Sequence, residues 1–374
     1  MIRFDSESGK ARSPAMVHGA PVDKIAASSA DGRVLSSCRD GQLRLWSGQG
    51  TLEAAWPSHG DVSELLWLPS GDGFVTLNRD GSVRLWPRQA PSGFTNQPKL
   101  LRRPGGEGRR LDVSSDGSWM AAGFDDHVVR SWSSDGTARG DWNVGGDVRA
   151  LGISPDNRHA AVGTGNGWLV WCRITDVPRT QGRVAVEGSI QELRFSPSGD
   201  QLAVAVSDGT IRVYSRTRDS WETPPEATVL RTTGETLSVQ WSPNGRLLLS
   251  WGPRVAQLWH VGAGVALTGP LRQNRDLAGA GFSADGLAVS LITEDARIQR
   301  LTLPSSPSRD VDWRMYTQLL SSRRADGSGD LVPWWPLGDT SGMLEALRWE
   351  QRWHQLQAGA ASTLGRAGFK SETP

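Results

Sequence analysis

The 374-residue chain carries 41 Lys plus Arg against 40 Asp plus Glu, so no overall field draws it to nucleic acid or to an anionic membrane, and a charged partner has to be met by a local patch. No stretch approaches the roughly 20 apolar residues that span a bilayer, and the N-terminus lacks the charged-then-apolar pattern of a signal peptide, which gives the cytoplasm as the expected compartment. Cys38 and Cys172 have no C-x-x-C or Cys/His neighbour at metal-ligand spacing and read as free thiols packed in or beside strands. Only Lys10, Lys24, Lys99 and Lys370 are lysines, a bias that points to the coding composition of a GC-rich, bacterial genome rather than to chemistry.

In chain order, a turn of the Ser-Pro-Asp-Gly type is followed 15 or 16 residues later by a residue that closes a short apolar run. The pairs are Asp31 with Trp46, Ser70 with Trp86, Asp116 with Trp132, Asp156 with Trp171, Ser198 with Tyr214, Asn244 with Trp259 and Asp285 with Leu301. The closing residues advance by 39 to 46 positions, the period of a β-propeller with four short strands per unit. Seven units make a ring, and a ring evades the size limit of a single core because each blade packs only on its neighbours.

The fifth unit shows how one repeat makes one blade. An apolar run ends in Phe195, the turn Ser196 to Gly199 follows, a second run covers Gln201 to Val206, the turn Asp208-Gly209 follows, and a third run ends in Tyr214. Pro sets φ for one turn position and Gly tolerates positive φ at the next, so both turns specify hairpins. These three runs are strands a, b and c. Strand d is expected in the variable segment before the next repeat, such as Thr51 to Trp56. Consecutive apolar residues at Leu202 to Val206 suit a sheet covered on both faces.

The strings DGQLRLW (40 to 46), DGSVRLW (80 to 86) and DGTIRVY (208 to 214) resemble the strand-c signature of the WD40 repeat family, and ISPDN (153 to 157), FSPSG (195 to 199) and WSPNG (241 to 245) resemble its strand-a turn. The resemblance covers roughly residues 1 to 304 and implies an all-β, seven-bladed WD40-type β-propeller. It also implies a buried hydrogen-bond relay through an Asp six residues before the closing residue, which falls on Asp40, Asp80, Asp126, Asp208 and Asp295. Repeat 4 has Asn166 and repeat 6 has Pro253 near that place, and the family's Gly-His start survives only as His18 and His59, each followed by Gly. Phe4 to Lys10 resembles the family's passage from strand c into strand d, so the chain opens within a repeat. Either residues 10 to 17 complete the last blade and remove its bare edge, or the chain is the C-terminal piece of a longer protein.

After Pro304 the turns stop, placing a domain boundary at 304/305 with a linker at Ser305 to Ser308. Trp313, Tyr316, Leu319 and Leu320, then Leu344, Leu347, Trp349, Trp353 and Leu356, fall at helical spacing and predict two amphipathic helices in a tail over 305–374, which is expected to dock rather than float. The strings QLLSSRRADGSGDLVP (318 to 333) and LRWEQRWHQL (347 to 356) resemble the C-terminal tail of large WD40-repeat proteins of planctomycete-type bacteria, many of which carry a serine/threonine kinase domain that is absent here.

The sequence holds no phosphate loop, nucleophile elbow, zinc helix or kinase string, and its six histidines share no spacing. The expected function is therefore a non-enzymatic protein-interaction scaffold that binds a protein or peptide and needs no cofactor or metal; the rival is a propeller hydrolase of the lactonase kind, and a third reading is the C-terminal fragment of a larger WD40 kinase. The candidate partner-binding face is the side carrying the b–c turns and the starts of strands a, where side chains differ between repeats. Its residues are Lys24, Arg39, Glu64, Arg79, Arg110, Asp125, Arg149, Glu192 and Glu294. The basic stretch Lys99, Arg102, Arg103, Arg109 and Arg110 is read as a solvated loop, because no aromatic is interleaved for base stacking.

Overall fold

The computed structural model describes residues 13–89, 93–94, 97–174, 179–216, 221, 227–295 and 297–303, together with the backbone of two short strands at 323–325 and 331–333. The chain divides into two compact units, Met1–Trp241 and Ser242–Pro374. In the first unit, repeat 1 forms a sheet of strands a Val22–Ala27, b Val34–Cys38, c Gln42–Trp46 and d Leu52–Pro57, hydrogen-bonded in that order. Repeats 3, 4 and 5 do the same, with strands a at Gly108–Val113, Val148–Ile153 and Ile190–Phe195. Repeat 2 runs a Val62–Trp67, b Gly73–Asn78 and c Val83–Gln89, and its fourth place is shared by Gly93–Phe94 and Lys99–Arg102, which both pair with c. Ser238–Trp241, strand a of repeat 6, ends the unit.

In the second unit, repeat 6 continues with Leu247–Trp251 and Val255–His260, and repeat 7 is the three strands Leu277–Phe282, Ala288–Thr293 and Ile298–Thr302. No fourth strand of repeat 7 is present among the described residues. Seven such sheets in chain order make the fold a seven-bladed β-propeller, whose described residues are almost wholly strand and turn, with one 3-10 turn among them at Val261–Ala263. The helices expected around Trp313 and Leu347 lie outside the described residues. Between them the chain instead forms a hairpin of Arg323–Ala325 on Leu331–Pro333, whose one sequence signal is Asp326-Gly327 between the two runs.

Local chemistry explains the blades. In the a–b turns Ser114, Ser154, Asn244 and Asp285 belong to one pattern: a Ser hydroxyl donates to the Asp or Asn two residues on, and that side chain accepts the next-but-one amide. The turn glycine is required twice over at Gly117, where φ is +72° and an added Cβ would lie 3.3 Å from Pro69 Cδ of the preceding repeat. Each strand a of repeats 1 to 5 and 7 carries a register shift one residue from its start, at Asp23, Ser63, Arg109, Arg149, Gln191 and Ala278.

Packing is between repeats rather than within them. Leu35, Leu43 and Trp56 of repeat 1 share a core with Leu65, Phe74 and Trp86 of repeat 2, and Ala161, Leu169 and Trp171 of repeat 4 share one with Leu193, Leu202 and Tyr214 of repeat 5. Two connections add aromatic plugs: Phe94 packs edge-on against Trp56 and Trp67, and the fully buried Trp221 stacks on Trp171 at 6.2 Å and meets Phe195 edge-on.

Candidate interaction face

Three of the closing tryptophans anchor their blades through a hydroxyl on strand b. Trp46 Nε1 donates to Ser36 Oγ at 2.9 Å, Trp86 to Thr76 at 3.1 Å and Trp259 to Ser250 at 2.8 Å. Trp171 pairs with Ala161, and the residue two further on is Gly163, so its buried Nε1 has no such acceptor and makes no hydrogen bond. In repeat 1 the chain extends one step, because His18 Nε2 lies 2.9 Å from Ser36 Oγ and its Nδ1 2.8 Å from the Met16 carbonyl.

The five relay aspartates make no hydrogen bond to a closing residue among the described residues. All lie in the b–c turns, where each is bound to groups of its own turn or to an arginine. Asp40 accepts from the Gln42 amide and from Arg44, four residues on, and Asp126 does the same with Val128 and Arg130. Asp80 and Asp208 accept both the amide and the hydroxyl of Ser82 and Thr210, and Asp295 takes the Thr293 hydroxyl and Arg297. In repeat 1 the buried chain is thus Trp46, Ser36 and His18, while the Asp40 carboxylate is held below its usual pKa chiefly by hydrogen bonds from the Arg44 guanidinium. Asn166 fills the same turn place in repeat 4, accepting from Thr164 and donating to the Gly145 carbonyl.

On the candidate face the residues separate into committed and available groups. Arg39 is tied to Asp23 at 3.0 Å; in repeat 2, where Arg79 is its counterpart, the place of Asp23 is held by Ser63, and Arg79 makes no ion pair among the described residues. Asp125 Oδ1 accepts the Glu107 amide, and Glu192 takes Arg194 at 2.6 Å with the Ser238 hydroxyl and Val239 amide of repeat 6. Arg110 lies 3.9 Å from Glu64 and Arg149 3.8 Å from Asp147. Lys24, Glu64, Arg110 and Glu192 follow the register shift of their strands, whereas Arg149 occupies the shifted place itself, where its repeat equivalents are Asp23, Ser63, Arg109 and Gln191. Glu294 lies in the second unit, its amide bonded to the Asp276 carbonyl.

The basic stretch is largely internal bracing. Arg102 sits 4.0 Å over the Phe124 ring and donates to the Gly81 and Gly105 carbonyls, Lys99 Nζ donates to the Asp135 carbonyl at 2.7 Å, and Arg109 pairs with Glu107 at 3.0 Å. Arg103 is exposed, and its side chain makes no contact of this kind among the described residues.

Asp112 and Arg194, not singled out from sequence, stand with Glu64, Arg110 and Glu192 on strands a of repeats 2, 3 and 5. Strand a is the edge of each sheet, so its outer main-chain groups need partners from the next repeat. Asp112 Oδ2 accepts the Ile153 amide at 2.7 Å, and Trp67 and Trp241 donate their indole N–H to the Ala26 and Arg194 carbonyls. Lack of water around Asp112, with the Glu64 charge adding to it, pushes its carboxyl up to about 6 against the pull of the Ile153 and Val113 amides and Arg194. The signal was present as charges at positions where repeat 4 has Ala150 and Gly152. Among the described residues no group of three His, Cys, Asp or Glu could hold a metal ion.

The family described as WD domain, G-beta repeat matches residues 16–47, 50–87, 109–133 and 182–215. These four segments are similar to WD40 repeats. The chain is 28% identical over 276 residues to a mouse protein named telomerase protein component 1, covering 64% of this chain and 10% of that protein. It is 25% identical over 265 residues to the ribosome biogenesis protein WDR12 homolog of the tick Ixodes scapularis, covering 61% of each. Against the LST8 homolog of Drosophila melanogaster the identity is 26% over 147 residues, 38% of this chain and 47% of that one. The chain thus spans less than two thirds of the length of each of these relatives. None of its described helices is long and apolar enough to cross a membrane.

Proposed function

We propose that this WD40 propeller is a non-enzymatic scaffold that holds a protein or peptide on the face formed by its b–c turns and the starts of its strands a. The observation that carries the reading is variation on a fixed frame. Equivalent b–c turn places hold Arg39, Arg79, Asp125, Gly165, Ser207 and Glu294 on backbones that repeat, which is what selective recognition requires. WD40 relatives named for ribosome biogenesis and for a telomerase component support a role in assemblies. Affinity capture with the purified protein, followed by mass spectrometry, tests it: a partner set lost on Arg79→Glu together with Arg149→Glu supports the face, and capture indifferent to both changes removes it.

The rival hydrolase needs acids free to bind a metal or a water. Glu64, Asp112 and Glu192 are instead taken by Arg110, the Ile153 amide, and Arg194 with Ser238, which supports the scaffold. Metal analysis of purified protein checks this, since a stoichiometric transition metal or calcium would favour the enzyme. The tail's resemblance supports a bacterial, cytoplasmic setting beside a serine/threonine kinase, with the propeller ending at 304 and the tail covering 305–374. The coding sequence upstream decides whether a kinase domain adjoins.

A further inference from the structure

The sequence holds two Asn-Gly pairs, Asn166-Gly167 in the b–c turn of repeat 4 and Asn244-Gly245 in the a–b turn of repeat 6, and both asparagines are exposed. In such a pair the glycine amide nitrogen can attack the asparagine Cγ, because no side chain on the next residue stands in the way. Both glycine amides donate back to the residue that opens the turn, Gly167 to the Thr164 carbonyl at 3.2 Å and Gly245 to the Ser242 carbonyl at 2.9 Å. That restraint is common to the two sites, and the difference lies in the side-chain amides. Asn244 Oδ1 accepts the Ser242 hydroxyl at 2.8 Å and the Arg246 amide at 3.0 Å, while its Nδ2 makes no hydrogen bond among the described residues. Two donors on the oxygen draw charge from Cγ and stabilise the oxyanion that forms when nitrogen adds to it, and the amino group is free to leave. Asn166 is held the other way. Its Nδ2 donates to the Gly145 carbonyl at 2.9 Å, its Oδ1 takes the Thr164 hydroxyl at 2.7 Å, and Gly146 packs so closely that a Cβ there would overlap that oxygen.

The turn of repeat 6 also accommodates the product. Repeats 3, 4 and 7 carry Asp116, Asp156 and Asp285 where repeat 6 has Asn244, and each accepts the same two bonds, from the Ser hydroxyl two residues before and the amide two residues after. At Asp285 those two donors hold the carboxyl below its usual range, so a turn of this kind favours an anion. We propose that Asn244 is a self-modification site, converted within its own turn to aspartate. The Gly245 nitrogen forms a bond to Cγ, the Cγ–Nδ2 bond breaks, the Gly245 amide proton leaves with the amino group as ammonia, and a cyclic imide remains. Water then adds at Cγ and breaks the new bond, which restores the main chain and leaves a carboxylate, its proton passing to solvent. The change takes the formal net charge from +1 to zero. The site lies at the opposite end of strand b from the b–c turns and does not depend on the scaffold reading.

The full chain, incubated folded in warm, mildly alkaline buffer beside a sample unfolded in urea, is digested with trypsin and mapped by mass spectrometry. Cleavage after Arg158, Arg173, Arg231 and Arg246 places the two asparagines in separate peptides. In the folded chain Asn244 is expected to acquire the mass shift of deamidation severalfold faster than Asn166, and in urea, where neither turn persists, the two rates are expected to converge. Two variants test the fit of the product. Asn244→Asp is expected to leave the melting temperature unchanged or to raise it. Asn166→Asp loses the donor to Gly145 and sets a carboxylate against that carbonyl, so it is expected to lower the melting temperature by a few degrees. Equal rates in the folded chain, a faster Asn166, no conversion of folded Asn244, or a lower melting temperature for Asn244→Asp overturns the proposal.

Discussion

Trp86 and Trp171 occupy equivalent places, both fully buried, yet they differ at one atom. Trp86→Ala deletes a large side chain shared by two repeats and should cost about 3–5 kcal/mol by urea unfolding. The finer contrast is Trp→Phe. At Trp86 the change strands the buried Thr76 hydroxyl and should cost about 1–3 kcal/mol more than at Trp171, whose N–H has no partner to lose. Equal costs would show that the strand-b hydroxyl does not anchor the closing ring. Asp112 makes a pH-dependent counterpart. With its carboxyl raised to about 6, the folded state holds a proton that the unfolded chain has released, so its contribution to stability is largest in acid and falls as pH rises through 6. Asp112→Asn keeps an acceptor for the Ile153 amide without the charge. Relative to wild type it should therefore gain stability as pH rises from about 4 to about 6 and change little above that, and a constant difference across that span would show an ordinary carboxylate.

At the scale of elements, one repeat is fastened to the next by side chains that cross from turn to turn. Arg216, after strand c of repeat 5, reaches Asp156 in the a–b turn of repeat 4 at 2.6 Å and Asp200 at 3.0 Å, with His159 3.7 Å from the same Asp156. Burial opposes ionisation of Asp156, but the Ser154 hydroxyl, the Arg158 amide and Arg216 outweigh it and hold the carboxyl below its usual range. Arg216→Ala should cost about 1.5–3 kcal/mol near neutral pH, as charge-assisted bonds do. That cost should shrink as pH falls through the depressed titration of Asp156, the reverse of the Asp112 trend, and a cost unchanged in acid would mean Arg216 acts by packing alone. Such fasteners explain what was legible in the sequence. The a–b turns and the closing residues follow from chemistry within a few positions, as with Ser114, Asp116 and Gly117, so repeats and blades could be read directly. The contacts of the relay aspartates, the plugs Phe94 and Trp221, and the role of Asp112 depend on groups a repeat or more away, as between Asp112 and Ile153, 41 residues apart. Spacing within one repeat carries no signal for them.

At the scale of the whole molecule, the open question for a propeller is its bare edges. Closure of the last blade by residues 10 to 17 divides at residue 13, because only 13 to 17 are described, and these do not form a strand. They pack on repeat 1: Met16 is fully buried against Val34 and Trp46, and the Ser13 side chain lies against Gly50, where a Cβ would come within 2.8 Å. Removing residues 1–17 therefore strips a core residue from repeat 1 whether or not the segment closes anything, and a loss of stability in that variant cannot be assigned to closure. Removing 1–12 alone separates the two effects. If residues 10–12 belong to a closing strand, this shorter deletion should already leave the outer edge of strand c of repeat 7, Ile298–Thr302, unpaired and produce aggregation detectable by light scattering. Ile292 and Ile298, paired across strands b and c and 40% and 49% exposed, would then form the sticky surface, and Ile298→Lys should suppress the aggregation. A 1–12 deletion that stays monomeric with an unchanged melting temperature would sink the closure model and leave residues 13–17 as a clasp on repeat 1 alone.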